Sequence, residues 1–154
     1  MLAEDNHVNR WVAQNILAKL GLKADTASNG IEAIDLHRQA PYDLVLMDCQ
    51  MPVLDGYAAT QIIREKEAHE ANDPPQQRPR TRRTPIIALT GHAMQGDRER
   101  CLAAGMDDYL SKPFNLNGLL TVLKRWLPSK SMIDLPAATD VGEEPAREDP
   151  ENRG

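Results

Sequence analysis

The sequence predicts an α/β protein in which helices cover both faces of one parallel sheet. Strand-like and helix-like segments alternate along the chain, and two of the strand-like runs are almost wholly apolar, as strands buried on both faces are. Hydrophobic residues make up 41% of the 154 residues, whereas aromatic residues make up only 4%. A largely aliphatic core is the usual filling between helices and a sheet, so we expect one α/β domain and not an aromatic-rich sandwich.

Five segments have the character of strands. The clearest are Tyr42–Met47 and Pro85–Thr90, which are short, nearly continuous apolar runs. Weaker strands are predicted at 23–27 and 107–111, and Met1–Ala3 provides the end of a first strand. Because only three apolar residues precede the first acidic pair, we expect a truncated first strand. Either an internal methionine has been taken as the start, or the chain is a piece of a longer protein.

A helix is predicted after each strand, and the order strand, helix repeats five times. In the first helix, Val12, Ile16 and Leu20 recur at four-residue intervals and predict the face that packs on the core, with Gly21 as the helix stop. Gly105 is placed to end the fourth helix. This repeating order predicts a doubly wound parallel sheet. The predicted helices are 7–20, 30–39, 55–69, 95–104 and 115–127.

Two stretches interrupt this organisation. Residues 72–84 are rich in proline and arginine, and we interpret them as a solvated loop insertion because no aromatic residue is interleaved with the arginines. Residues 128–154 contain seven acidic and three basic residues and four prolines. Such a segment buries too little apolar surface to offset its ordering entropy. We therefore expect a folded domain at 1–127 and a disordered acidic tail at 128–154.

The low cysteine content and the absence of long apolar runs in the sequence predict the cellular compartment. Two cysteines do not make a disulfide framework, and no apolar run approaches the length of about 20 residues that spans a bilayer. We expect a cytoplasmic protein without direct membrane contact, in which Cys49 and Cys101 are small buried hydrophobes.

Polar side chains follow the predicted strands at their carboxyl ends, where function gathers in such sheets. These residues are Glu4, Asp5, Asp48, Thr90 and Lys112. Three carboxylates brought together repel one another, so the cluster predicts a divalent cation. Oxygen-only ligation favours Mg2+, with Mn2+ as the alternative. A carboxylate beside such an ion is suited to attack a phosphoryl donor and form an aspartyl-phosphate.

The chain resembles the receiver domain of two-component response regulators. The matching segments are 2–6, 44–48, 51–52 with 55–56, 87–90 and 107–114, and the resemblance spans residues 1 to about 127. The sequences of residues 48–56 and 105–109 are most similar to the C-terminal receiver of hybrid sensor histidine kinases. The resemblance implies a flavodoxin-like sheet with the strand order 2-1-3-4-5.

The resemblance also implies how the acidic residues work. Asp48 would accept the phosphoryl group from a phosphohistidine. Glu4 and Asp5 would bind Mg2+ together with Asp48 and the backbone carbonyl of Gln50. Asp55 precedes a helical stretch, and we interpret it as a helix N-cap and not as a metal ligand.

Other site residues follow from the same resemblance. Lys112 and Thr90 would meet the phosphoryl oxygens, and Thr90 and Tyr109 would form the switch pair, in which the hydroxyl and the ring change position on phosphorylation. The Lys112–Pro113 bond would be cis, which is a conformation that X-Pro bonds adopt at low cost.

The implied partner is a histidine kinase or a histidine phosphotransfer domain, with a monomeric receiver and no nucleic acid. On the first helix, Val8 and Trp11 lie off the predicted core face and form a second apolar stripe beside the acidic residues. We interpret this stripe as the docking site for the phosphohistidine donor. The alternative is that Trp11 covers the edge of the core.

Three other functions remain open from the sequence. The chain could be a stand-alone response regulator, with no activity beyond its own phosphorylation and dephosphorylation, and not part of a histidine kinase. A phosphohydrolase of the haloacid-dehalogenase kind also uses an aspartate nucleophile, but it needs a second acid where this chain has Gln50. A flavodoxin-like FMN protein would need a phosphate-binding loop after the first strand, and the sequence has none there.

Overall fold

The computed structural model describes residues 1–72, 83–91, 95–113 and 115–127. Most of the predicted insertion and the whole of the predicted tail lie outside the described residues. No helix in the described ranges has the length and apolar character to span a membrane. In chain order, the elements are β1 (Leu2–Ala3), α1 (His7–Lys19), β2 (Thr26–Ala27), α2 (Gly30–Gln39), β3 (Val45–Asp48), α3 (Gly56–Asn72), β4 (Ile86–Thr90), α4 (Gln95–Ala104), β5 (Asp108–Ser111) and α5 (Leu116–Trp126).

The five strands form one parallel sheet in the order β2-β1-β3-β4-β5. The predicted fold class and strand order are therefore confirmed. All residues of β3 and β4 are buried, as their apolar runs predict. The first strand has only two residues, yet Leu2 pairs with Thr26 on one side and with Leu46 on the other.

Helices cover both faces of the sheet, which makes three layers. On one face, the core cluster joins buried residues of α1 and α5 to Leu2, Leu46 and Leu89 of the strands. On the other face, buried residues of α2, α3 and α4 pack with Val45, Met47 and other strand residues. The alternation of side chains along each strand distributes neighbouring residues between the two clusters.

The core face of α1 differs from the predicted one. Ala13 and Leu17 are its buried residues, and Leu20 is buried just after the helix, whereas Val12 is 36% exposed. The prediction for Val12 is wrong because the small Ala13 belongs to the packed stripe, and it carries too little hydrophobicity to stand out in the sequence. The two helix stops are confirmed, since Gly21 and Gly105 have φ values of 74° and 101°.

A buried polar network closes the sheet at the amino ends of β4 and β5. Arg64 on α3 lies 2.8 Å from a carboxylate oxygen of Glu67 and 2.8 Å from one of Asp107. Glu67 also accepts a hydrogen bond of 3.0 Å from the Thr84 N–H, and His37 Nε2 lies 3.6 Å from it. Burial raises the pKa of Glu67, but the donors from His37, Thr84 and Arg64 outweigh burial and lower it to about 2.

Candidate functional site

The carboxyl edge of the sheet brings together the side chains that the sequence predicted there. Asp48 and Thr90 end β3 and β4, Glu4 follows β1, and Lys112 follows β5. The Lys112 N–H donates to the Thr90 carbonyl over 2.7 Å, which continues the sheet pairing to the position of the lysine. The parallel topology alone therefore places four polar side chains from four strands at one edge.

Lys112 holds the centre of this cluster. Its Nζ lies 2.8 Å from Glu4 Oε2 and 3.0 Å from Asp48 Oδ2. Burial lowers the pKa of Lys112, but the hydrogen bonds and charges of Glu4 and Asp48 outweigh it and raise the pKa above its usual value. The lysine is therefore a fixed positive charge between two carboxylates.

The acidic residues meet the requirements of a hard divalent cation. One ligand oxygen each from Glu4, Asp5 and Asp48 lies within 4.8 Å of the others. Glu4 is 1% exposed, and its Oε2 has the ion pair with Lys112 but no well-directed hydrogen-bond donor. Asp5 is exposed, so the cluster is open to water on that side. Carboxylates with open water positions are the ligand set that Mg2+ prefers.

Burial and the neighbouring charges perturb the carboxyl group of Asp48, the phosphoacceptor candidate. Burial raises the pKa of Asp48 to about 7, against the hydrogen bonds from Lys112 and from the Gln50 N–H and with the help of the neighbouring Glu4. The Gln50 N–H donates to Asp48 Oδ1 over 3.1 Å. Two buried carboxylates thus share one lysine, whose single positive charge cannot neutralise both of them.

The loop between β3 and α3 fixes the position of the Asp48 backbone. A Cβ on Gly56 would overlap the Asp48 carbonyl oxygen, so only glycine permits this approach. Asp55 accepts a hydrogen bond of 2.8 Å from the Ala58 N–H, which confirms its predicted capping position. Val53 is 82% exposed and has a φ of 71°, a conformation that is strained for a β-branched residue.

A cavity of about 760 Å³ opens over the cluster. Besides the predicted residues, its lining includes Tyr57 from α3 and Asp97 and Arg100 from α4. These three residues were not predicted, because a helical pattern does not reveal which polar face lies over a strand end. The Arg100 guanidinium carbon is 4.4 Å from the centroid of the Tyr57 ring, so these two residues form one wall of the cavity.

The predicted switch residue Tyr109 and the predicted docking residues Val8 and Trp11 are not part of the cavity lining. Tyr109 is half-buried on β5, with the Arg98 guanidinium carbon 6.0 Å from its ring. Val8 and Trp11 on α1 are 68% and 67% exposed. Asn6 and Asn9, from the same region of the chain, line the cavity. The exposed apolar pair therefore neighbours the acidic cluster in the chain.

Three further features can be compared with the sequence predictions. The Lys112–Pro113 bond is cis. Cys49 and Cys101 are both buried, as predicted, with 3.9 Å between their sulfur atoms. Burial raises the pKa of Cys49 to about 12, which keeps this thiol protonated and unreactive.

Comparison with known proteins identifies the family. Residues 1–124 match the profile described as the response regulator receiver domain. The chain is 41% identical over 130 residues to hybrid signal transduction histidine kinase G of Dictyostelium discoideum, with 83% of this chain and 4% of that protein covered. It is 42% identical over 142 residues to histidine kinase 5 of Arabidopsis thaliana, with 82% and 15% covered. The chain thus spans a small part of these relatives.

Solved structures of receiver domains resemble this fold. The receiver domain of a sensor histidine kinase from Pseudomonas aeruginosa, solved with a magnesium ion coordinated in its active site cleft, is 46% identical with a TM-score of 0.67. The match covers 81% of this chain and 93% of that one. A co-crystal structure from Saccharomyces cerevisiae contains a histidine phosphotransfer protein and the receiver domain of its downstream response regulator. It is 33% identical to this chain, with a TM-score of 0.76. This match covers 86% of this chain and 90% of that one.

The family profile, the relatives and the shared sheet order agree with the cluster of carboxylates, threonine and lysine at the carboxyl edge. The chain belongs to the family of response regulator receiver domains of two-component phosphorelays.

Proposed function

We propose that this chain accepts a phosphoryl group on Asp48 from a phosphohistidine, in a Mg2+-dependent reaction, as the receiver of a cytoplasmic hybrid histidine kinase. The receiver unit is residues 1–127. The observation that carries the proposal is the buried Asp48 carboxylate, held by Lys112 at 3.0 Å and open to a cavity lined by acidic residues. The hybrid origin is supported by relatives that carry a matching region within longer histidine kinases.

The reaction follows from the arrangement of these side chains. An Asp48 carboxylate oxygen forms the new bond to phosphorus, while the bond from phosphorus to the imidazole nitrogen breaks and its electron pair returns to the ring. Lys112 provides a positive charge for the transferred oxygens, and the Thr90 hydroxyl, which ends the adjacent strand, is placed to donate a hydrogen bond to them. Thr90 and Tyr109 together form the proposed switch.

Mg2+ would be held by Glu4, Asp5 and Asp48, with the backbone carbonyl of Gln50 as a further oxygen ligand. The support is the mutual distance of the three carboxylates and the buried Glu4 oxygen that lacks a directed donor. When bound, the ion supplies charge neutralisation for the phosphoryl oxygens. Mn2+ has the same oxygen preference and would substitute for it.

A phosphorylation assay with a matched pair of aspartates tests this proposal. Acetyl phosphate with Mg2+ should add one phosphoryl group to the wild-type protein, measured as intact mass. Asp48→Asn should abolish the addition because the nucleophile is lost. Asp55→Asn should retain it, because Asp55 lines the same cavity but caps α3, and asparagine caps a helix equally well. Labelling of the Asp48→Asn protein would contradict the proposal.

The partner surface is proposed at Val8 and Trp11, because both are exposed on α1 and lie close in the chain to Asn9, which lines the cavity. A phosphohistidine domain must bring its ring to Asp48, and an apolar landing site beside the cavity would hold it there. Trp11→Ala should slow phosphotransfer from a phosphorylated histidine phosphotransfer domain at least tenfold, since buried tryptophans dominate such interfaces. Phosphorylation by acetyl phosphate should stay unchanged.

Ile62→Ala is the matched control for this test, because Ile62 is an exposed apolar residue on α3, on the other face of the sheet. It should leave both phosphorylation rates unchanged. Equal losses with the protein donor and with acetyl phosphate in Trp11→Ala would show that Trp11 supports the fold and not the partner.

A further inference from the structure

The cavity wall that α4 supplies carries an arginine for which the proposed reaction has no role. Arg100 lines the cavity together with Asp48 and Lys112. Its guanidinium carbon lies 4.4 Å from the centroid of the Tyr57 ring, which is a stacking distance for arginine on an aromatic face. Stacking occupies the face of the guanidinium group, whereas its five N–H donors lie in the plane. These donors therefore remain suited to bind an oxygen acceptor in the cavity.

The two cations of the cavity differ in how they are held. Lys112 forms ion pairs with Glu4 and Asp48. Within the described ranges, no carboxylate forms an ion pair with Arg100, although Asp97 lies three residues earlier on α4 and lines the same cavity. Arg100 is held in place by a ring and not by an anion. It is thus a positioned positive charge available to an incoming anion.

The in-line geometry of phosphoryl transfer determines whether Arg100 lies nearer the leaving group or the phosphoryl oxygens. In phosphoryl transfer, the attacking and leaving groups lie roughly in line on opposite sides of phosphorus. Asp48 is buried at the floor of the cavity and Arg100 is exposed. The leaving group therefore points away from the floor, towards the open part of the cavity, and Arg100 is an exposed residue of the cavity wall. Lys112, at the floor, faces the phosphoryl oxygens.

We propose that Arg100 forms a leaving-group subsite that recognises the carboxylate released from an acyl phosphate, an inference that rests on the proposed function of Asp48. An Asp48 oxygen bonds to phosphorus, the bond from phosphorus to the acyl oxygen breaks, and the electron pair stays on that oxygen. The product leaves as a carboxylate, so no proton is transferred. Arg100 donates hydrogen bonds to the carboxylate as its charge develops, which is the geometry that a guanidinium group matches best.

Arg100 should therefore discriminate between donors that release different leaving groups. Acetyl phosphate releases a carboxylate, whereas phosphoramidate releases a neutral amine that gains nothing from Arg100. In Arg100→Gln, the second-order rate constant for acetyl phosphate should fall about tenfold, as expected for one lost hydrogen bond to a charged group. The rate constant for phosphoramidate should stay within about twofold. Arg100→Lys should lose about threefold with acetyl phosphate, because lysine keeps the charge without the fork.

Arg98→Gln is the matched control, since it removes the same charge from the same helix two residues away, and Arg98 is absent from the cavity lining. It should leave the ratio of the two rate constants unchanged. Binding of beryllofluoride with Mg2+ should also be unchanged in Arg100→Gln, because that complex has no leaving group. The thermal unfolding midpoint of each variant checks the fold.

Equal losses with both donors in Arg100→Gln, or no loss with either, would overturn the leaving-group subsite while Asp48 remained the phosphoacceptor. A wild-type protein that neither donor phosphorylates would overturn both the proposed function and this inference. A selective loss with acetyl phosphate, absent in Arg98→Gln, is the result that supports the subsite.

Discussion

Two buried carboxylates at opposite edges of the sheet, Glu67 and Asp48, each contact a cation, yet their pKa values move in opposite directions. The pKa of Glu67 is about 2, because donors from His37, the Thr84 backbone and Arg64 outweigh burial. The pKa of Asp48 is about 7, because burial and the neighbouring Glu4 outweigh the donors from Lys112 and Gln50.

The difference lies in the number of donors for each carboxylate. At the amino edge, Arg64 bridges Glu67 and Asp107, and Asp107 receives a second arginine, Arg83, at 2.9 Å. At the carboxyl edge, Glu4 and Asp48 share one lysine. A region with enough donors is structural. A region with too few donors would gain stability from an additional cation, as the proposed Mg2+ site requires.

The largest effect is expected from removing the arginine at the amino edge. Arg64→Met leaves the buried Glu67 and the half-buried Asp107 without their shared partner, and breaking a buried ion pair in this way costs about 3–5 kcal/mol. Urea unfolding should show this decrease in the free energy of unfolding. Lys66→Met is the control on the same helix, because its pair with Glu70 is half-exposed and should contribute about 0.5 kcal/mol or less. Similar costs for both variants would remove the distinction between the network and a surface pair.

Acid should weaken the amino edge through Glu67. The folded pKa of about 2 lies below the ordinary value of 4.5, so the ionised form stabilises the fold fully above pH 4.5. This stabilisation is lost as the pH falls from 4.5 towards 2, and a shift of that size corresponds to about 3 kcal/mol. Unfolding curves across this range should be steeper in pH for the wild type than for Glu67→Gln. Parallel curves would show that Glu67 is not the responsible group.

Magnesium should stabilise the carboxyl edge by mass action. At a Mg2+ concentration of about 100 times its Kd, binding to the folded state adds about 2.7 kcal/mol to the free energy of unfolding. Asp5→Asn removes one carboxylate of the cluster, and a tenfold weaker site would lose about 1.3 kcal/mol of this stabilisation at the same concentration. Calorimetric titration provides both Kd values. An unchanged Kd in Asp5→Asn would place the ion elsewhere.

The smallest change in the free energy of unfolding is expected from relieving backbone strain in the loop that follows Asp48. Val53 has a φ of 71°, which costs a residue with a Cβ about 1–2 kcal/mol. Val53→Gly relieves this cost but loses about 0.5–1 kcal/mol in chain entropy, so a net gain of about 0.5–1 kcal/mol is expected in urea unfolding. A loss of stability would show that the exposed valine side chain contributes more than the strained backbone costs.

The sequence predicted the sheet well because its central strands carry a direct signal. The apolar runs that became β3 and β4 are buried throughout, and the strand order followed from the resemblance. The boundaries were less accurate: α3 was predicted at 55–69 and extends over Gly56–Asn72. The core face of α1 was wrong at Val12, because Ala13 contributes through its small size and not through hydrophobicity.

The site was predictable where strands end and not where helices lie over it. Glu4, Asp48, Thr90 and Lys112 converge because parallel strands share one edge. Tyr57 and Arg100 lie on separate helices, and their contact depends on the tilt of α3 and α4, which no local pattern contains. The amino-edge network was missed for the same reason, since Arg64 meets Asp107 across 43 residues of chain.

The contact at Gly56 gives the molecule an internal reporter. Its N–H donates to the Cys49 carbonyl over 3.1 Å, and its Cα side has no room for a methyl group against the Asp48 carbonyl. The first turn of α3 and the end of β3 are consequently in direct steric contact, so neither can shift without the other. The amide resonance of Gly56 should therefore register any event at Asp48 in a nuclear magnetic resonance spectrum, including one too small to move the helix visibly.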